Sequence, residues 1–118
     1  MLKGVEIQID GKARKLAFNY MTVADLEEAM NGQSAIGLLS NPDKLGLHAI
    51  RMFVMFGLRH EDRTMTKQKA SALLQKYFDD GGDFLTLTDA ITKALLLSGA
   101  FGKQDLEALE EGNVTGAE

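Results

Sequence analysis

The chain has 118 residues, 45% of them hydrophobic, with no cysteine and a formal net charge of −4. That length suits one domain with a modest core, and the missing cysteines exclude disulfides and thiolate chemistry, which fits a reducing compartment. The charge is uneven: residues 103–118 hold five acids against Lys103, leaving 12 acidic and 12 basic side chains in residues 1–102. A nucleic-acid binder carries a basic footprint, and none is visible. Residues 1–102 are therefore expected to form a single domain, and 103–118 a flexible acidic tail. Within the tail, Leu106 and Leu109 stand at i, i+3, a spacing that could give a short interaction segment one apolar edge.

From the N-terminus, Val5, Ile7 and Ile9 alternate with polar residues, the period of a half-buried strand. A strand here leaves no signal peptide in MLKGVEIQID. Asp10-Gly11 is a strong hairpin turn signal, and Leu16, Phe18 and Tyr20 alternate after it. A two-residue turn would pair Val5 with Leu16. A four-residue turn over 10–13 would pair Val5 with Phe18 and Ile7 with Leu16, and is preferred because it buries more apolar pairs. The expected hairpin covers residues 5–20, with Val5, Ile7, Leu16 and Phe18 facing the helices.

Thr22 is expected to open a helix through a capping box with Asp25, with Met21 and Leu26 as a hydrophobic staple and Asn31-Gly32 as the stop. Residues 34–39 should make one or two helical turns. Asn41-Pro42-Asp43 then supplies a cap, a first-turn proline and an acid for a central helix. Its body, LHAIRMFVMFGL at 47–58, has nine apolar residues in twelve. It is too short to span a bilayer, so other helices or a partner must wrap it. Lys44, His48 and Arg51 fall on one stripe at i, i+4, i+7, and Met55 continues it. Residues 60–65 read as a charged loop. Thr66 caps a helix whose buried stripe is Ala70, Leu73, Leu74 and Tyr77. The run at 79–83, DDGGD, breaks it, and a last helix begins between Phe84 and Thr88 and runs to Gly99 or Phe101, with Leu87, Ile91, Ala94 and Leu95 inside. The expected fold is α+β: an N-terminal β-hairpin followed by a bundle of about four α-helices.

Catalytic chemistry is hard to find. No serine sits in a nucleophile elbow, and Gly81-Gly82 is not followed by the phosphate-loop lysine. The acids at 79–83 lack the alternation of a calcium loop. His60-Glu61-Asp62 are adjacent and so rarely converge on a metal. No catalytic, cofactor-binding or metal-binding residue is expected. The helices around 67–79 and 87–100 invite a helix-turn-helix reading, but the acidic linker looks longer than usual and the second helix carries one cation, Lys93. A small helical DNA-binding or regulatory module is the alternative reading. What remains is a contact surface. His48, Arg51, Met55 and Leu58 are the candidate partner-binding residues, an outer helix edge on which methionine adapts to varied surfaces.

The order of segments resembles the tail assembly chaperones of long-tailed bacteriophages and gene transfer agents. The likeness covers about residues 4–102. Its specific parts are the hairpin GVEIQIDGKARKLAFNY, the acidic helix DLEEAMNG and the helix end FGLRHED, followed by TMT and the apolar helix end ALLLSGAFG. Family members often carry an aromatic such as Trp where Met55-Phe56 stands; this chain has no Trp. The resemblance implies a non-enzymatic protein without cofactor. Its partners would be the long tape measure protein, which it keeps from aggregating, and the tail tube protein, with self-association left open and no role for nucleic acid or membrane. It would act in the host bacterial cytoplasm and be absent from the finished virion. In many phages a frameshift makes a longer second form, and the acidic tail lies where such an extension would begin.

Overall fold

The computed structural model describes residues 3–41 and 44–101. Two antiparallel strands, β1 (Gly4–Ile9) and β2 (Lys12–Ala17), precede five helices: α1 (Tyr20–Ala29), α2 (Ala35–Leu39), α3 (Leu47–Leu58), α4 (Lys67–Asp79) and α5 (Phe84–Leu97). This is the expected α+β arrangement, with four longer helices and the short α2.

The hairpin turn has two residues, not the preferred four. Val5 pairs with Leu16, Ile7 with Arg14 and Ile9 with Lys12. Asp10 (φ 57°) and Gly11 (φ 69°) both take the left-handed conformation, the backbone of a type I′ turn, whose twist matches that of the strands. Counting apolar pairs misjudged the register because pairing is not the only route to burial. Phe18 lies past the ladder and is buried all the same, as is Ile9. Arg14, opposite Ile7, is half-buried and turns its guanidinium back to donate from Nε to the Ile9 carbonyl at 3.1 Å.

Helix α1 starts earlier than the capping-box pattern suggests. Asn19 is the cap, its side chain accepting from the Thr22 N–H at 2.8 Å and the Thr22 hydroxyl at 2.9 Å. Met21 is 72% exposed, so the expected staple with Leu26 does not form. Tyr20 also opens the helix instead of closing the hairpin. At the other end the Gly32 N–H reaches the Glu27 carbonyl and the Asn31 N–H that of Glu28, a Schellman stop with Asn31 left-handed (φ 61°). Ser34, Thr66 and Asp83 cap α2, α4 and α5 as side-chain acceptors. Helix α5 ends at Leu97, a little short of the expected limit.

Helix α3 begins at Leu47 with Gly46 as a cap that offers no side chain. Lys44 therefore precedes the helix and does not share a helical stripe with His48 and Arg51. Pro42 and Asp43 lie outside the described residues, as do residues 103–118 with Leu106 and Leu109. Nine of the twelve α3 residues are buried. The helix packs against α4, β2, α1 and α5. It comes close to the hairpin at Gly57, where a Cβ would stand 2.9 Å from the Phe18 ring and 3.0 Å from Leu16.

The turn between α4 and α5 is held by Tyr77. Its hydroxyl donates to the Asp83 carbonyl at 2.8 Å and accepts from the Asp83 N–H at 3.1 Å. Its ring lies against Gly82, where a Cβ would come within 2.5 Å. Among the described residues Tyr77 is buried with its hydroxyl satisfied, no other charged or polar side chain is buried, and no helix is long and apolar enough to cross a membrane.

Two substitutions test this packing. Phe53 is fully buried, and Phe53→Ala should cost about 3–5 kcal/mol in denaturant unfolding, as for a large core aromatic; a loss under roughly 1 kcal/mol would contradict its burial. Gly57→Ala adds helix propensity worth ~1 kcal/mol but crowds two rigid core side chains at a cost of ~1–3 kcal/mol. A net loss of up to about 2 kcal/mol is expected. A gain in stability would show that α3 and the hairpin are less tightly apposed.

Candidate partner-binding groove

The four candidate contact residues do not share one surface. His48 is exposed and Arg51 half-buried, but Met55 is 5% exposed and Leu58 1%. The outer edge read from the helical wheel is open only at the N-terminal end of α3. Toward the C-terminal end Arg59 folds back over it. Its guanidinium lies 4.6 Å from the Phe56 ring centre, and its Nη2 is 3.7 Å from the Met55 sulfur. The next loop then carries Met65 into the same core. A carboxylate at Met55 would have to be buried, so Met55→Asp would damage the fold and cannot probe a partner.

The open end forms one wall of a groove of about 290 Å³. Leu47, His48, Ile50 and Arg51 of α3 line one side. Ser71, Leu74, Gln75 and Phe78 of α4 line the other, spaced i, i+3, i+4, i+7 as one helical stripe. Apolar groups dominate the rims: Leu47 is 76% exposed and Phe78 37%. Phe78 stands edge-on to Tyr77, with ring centres 5.1 Å apart. That contact seats Phe78 beside the anchored α4–α5 turn.

The polar groups of the groove are incompletely paired. Arg51 Nη2 lies 2.6 Å from His48 Nδ1. A guanidinium only donates, so Nδ1 accepts and the imidazole proton sits on Nε2. Arg51 Nε is shielded from solvent and has no acceptor, and among the described residues no carboxylate pairs with Arg51. A buried donor without an acceptor is costly. The groove thus combines apolar rims with an unsatisfied cationic donor, a combination suited to a ligand that carries both an apolar group and an oxygen acceptor.

Of the four candidates read from the sequence, His48 and Arg51 line this groove, together with Leu47 and Phe78, which were not among the candidates. Leu47 could have been found as the one apolar residue at the polar end of the greasy run. Phe78 could have been found as the aromatic one step off the Ala70–Leu74–Tyr77 stripe.

Other places offer less. A second hollow of about 380 Å³ lies between the hairpin turn and the α4–α5 turn, lined by Gln8, Asp10, Gly11, Tyr77, Asp80, Gly81 and Gly82; the Tyr77 hydroxyl there is already engaged by Asp83. Among the described residues no group of three or more His, Asp or Glu could hold a metal ion. The loop after α3 is tied to β2. His60 Nε2 donates to the Lys15 carbonyl at 2.6 Å, and Glu61 accepts from the Lys15 N–H at 3.3 Å. The α4–α5 linker has four residues, a normal helix-turn-helix length and shorter than expected. The exposed positions Phe84, Leu85, Thr86 and Asp89 of α5 present no cation, and Lys93 pairs with Asp89 at 3.3 Å.

No family model, curated protein or solved structure matches this chain.

The loop after α3 carries a measurable electrostatic signature. The Thr64 hydroxyl at 2.6 Å, and then the Thr64 N–H at 2.9 Å, donate to the Asp62 carboxylate and hold its pKa below the ordinary aspartate value; Lys69 and Arg14 add to this. A lowered folded-state pKa stabilises the fold above the ordinary carboxylate range, and that contribution is lost as pH falls through the lowered value. An NMR titration should show the Asp62 midpoint below that of an unstructured aspartate. Thr64→Val, which removes the hydroxyl and keeps the N–H, should raise it. An unchanged midpoint would exclude the hydroxyl bond.

Proposed function

We propose that this chain is a tail assembly chaperone of a long-tailed bacteriophage or gene transfer agent, a non-enzymatic protein that binds the tape measure protein and helps recruit tail tube subunits. The segment resemblance over residues 4–102 supports the reading. The observation that carries it physically is the α3–α4 groove: Leu47 and Phe78 are exposed beside an Arg51 donor that lacks an acceptor. An assembly chaperone needs a surface of this kind, apolar enough to cover an aggregation-prone helix and polar enough to release it. In this reading the partner contact runs through Leu47, His48, Arg51 and Phe78, and the protein works in the host cytoplasm and leaves before the virion is complete.

Reversible action calls for an affinity nearer micromolar than nanomolar, about −8 kcal/mol. Leu47→Asp is the sharpest probe. It places a carboxylate in the first turn of α3, where the helix dipole favours an acid by ~0.3–1 kcal/mol, so the melting temperature should hold or rise slightly. At the contact the same carboxylate must be desolvated. Co-purification of the tape measure protein should fall about tenfold, ~1.4 kcal/mol. Equal recovery with wild type and variant would remove the groove from the contact. Failure of the wild type to retain the tape measure protein would overturn the chaperone reading.

A further inference from the structure

We propose that the outer edge of β1 takes an extended segment of a partner protein that carries a lysine or arginine. The added strand pairs with Glu6 and Gln8, and its cation enters the hollow between the hairpin turn and the α4–α5 turn. This edge shares no residue with the α3–α4 groove. The two edges of the sheet differ. In a two-residue hairpin the pair beside the turn exchanges both backbone bonds, and every second pair beyond it does the same. Ile9–Lys12, Ile7–Arg14 and Val5–Leu16 are therefore the bonded pairs. The residues between them turn their N–H and C=O groups away from the sheet. On β2 that outward edge is met: the Lys15 N–H donates to Glu61, and the Lys15 carbonyl accepts from His60. On β1, Glu6 and Gln8 are exposed, and among the described residues nothing bonds to their outward backbone groups. Within β1 there is also no lysine or proline, the residues with which edge strands commonly turn a further strand away.

Charge selects the occupant. The hollow of about 380 Å³ beside Gln8 is lined by Asp10 and Asp80 and by no cation. Among the described residues neither carboxylate has a hydrogen-bond or ion-pair partner. The Tyr77 hydroxyl at the same hollow is taken by Asp83, so the two carboxylates are what it offers a ligand. Glu6 adds a third acid on the edge itself. A second copy of β1 is a poor occupant: GVEIQI brings no cation to the hollow and sets another acid beside an acidic edge. A basic segment answers both points. Main-chain bonds to the edge supply affinity, and a side-chain hollow at one register position supplies specificity. Because the ionic part of the contact is near the surface, added salt should weaken it.

The probe is a short acetylated and amidated peptide of alternating threonine and valine with one central lysine, added to the full-length ¹⁵N-labelled protein. The Glu6 and Gln8 amides should move downfield and gain protection from hydrogen exchange. Those of Ile7 and Ile9, already bonded within the ladder, should gain little, and those of Leu47 and Phe78 in the α3–α4 groove should stay in place. Methylating one alternate set of peptide amides should abolish binding, and methylating the other set should not. A central glutamate in place of the lysine should abolish it as well. Asp10→Asn with Asp80→Asn keeps the turn, since asparagine accepts the left-handed conformation of position 10. The melting temperature should hold while the peptide weakens about tenfold, for the lost attraction at the protein surface. No change at Glu6 and Gln8 with millimolar peptide, equal binding of the glutamate peptide, or indifference to both methylation patterns would overturn the proposal. Protection of Glu6 and Gln8 that rises with protein concentration in the absence of peptide would overturn it in favour of pairing between copies.

Discussion

Everything in this fold answers to one requirement, the burial of α3. Nine of its twelve residues are out of solvent, and a helix apolar on nearly every side needs neighbours on nearly every side. The hairpin, α1, α4 and α5 supply them. The hairpin comes close because Gly57 lets Phe18 and Leu16 approach to distances that a methyl group would occupy. Close packing rather than polar contact holds this centre; apart from the hydroxyl of Tyr77, the described residues bury no charged or polar side chain.

The two ends of α3 are finished differently, and that difference makes the groove. At the C-terminal end Arg59 lays its guanidinium over Phe56 and Met55, and His60 and Glu61 fasten the following loop to Lys15 of β2. At the N-terminal end the cap is Gly46, with no side chain to offer. Leu47, His48 and Arg51 face outward there, across from Ser71, Leu74, Gln75 and Phe78. An apolar residue left at the edge of a core with an unsatisfied donor beside it is a place where a second surface can gain more than water gives.

The α4–α5 turn fixes the far wall. Tyr77 is buried and spends its hydroxyl on both the carbonyl and the N–H of Asp83, while Asp83 caps α5 through the Thr86 N–H at 2.8 Å. One aromatic thus sets the end of α4, the start of α5 and, through its edge contact, the position of Phe78. The groove is bounded on that side by a rigid element rather than a loose loop.

Local signals were enough for much of this architecture. Alternation at Val5, Ile7 and Ile9, the Asp10-Gly11 turn, the cap at Thr66 and the C-terminal end of α3 are short-range properties of the chain, and they act the same way in any context; the start of α3 was not among them, since Gly46 and not Asn41 caps it. Decisions between equivalent local patterns needed the tertiary structure. The hairpin register turned on where Phe18 and Ile9 could be buried, not on which strand pairs were apolar. The start of α1 turned on whether Asn19 or Thr22 took the cap, and an exposed Met21 left no staple to favour the second. The stripe from His48 to Leu58 could be read from helical spacing, but not which half of it would be covered, because Arg59 and Met65 reach it through the loop. Nor could spacing along one helix reveal the groove, whose walls are 20 to 31 residues apart in the chain and meet only when α4 packs against α3.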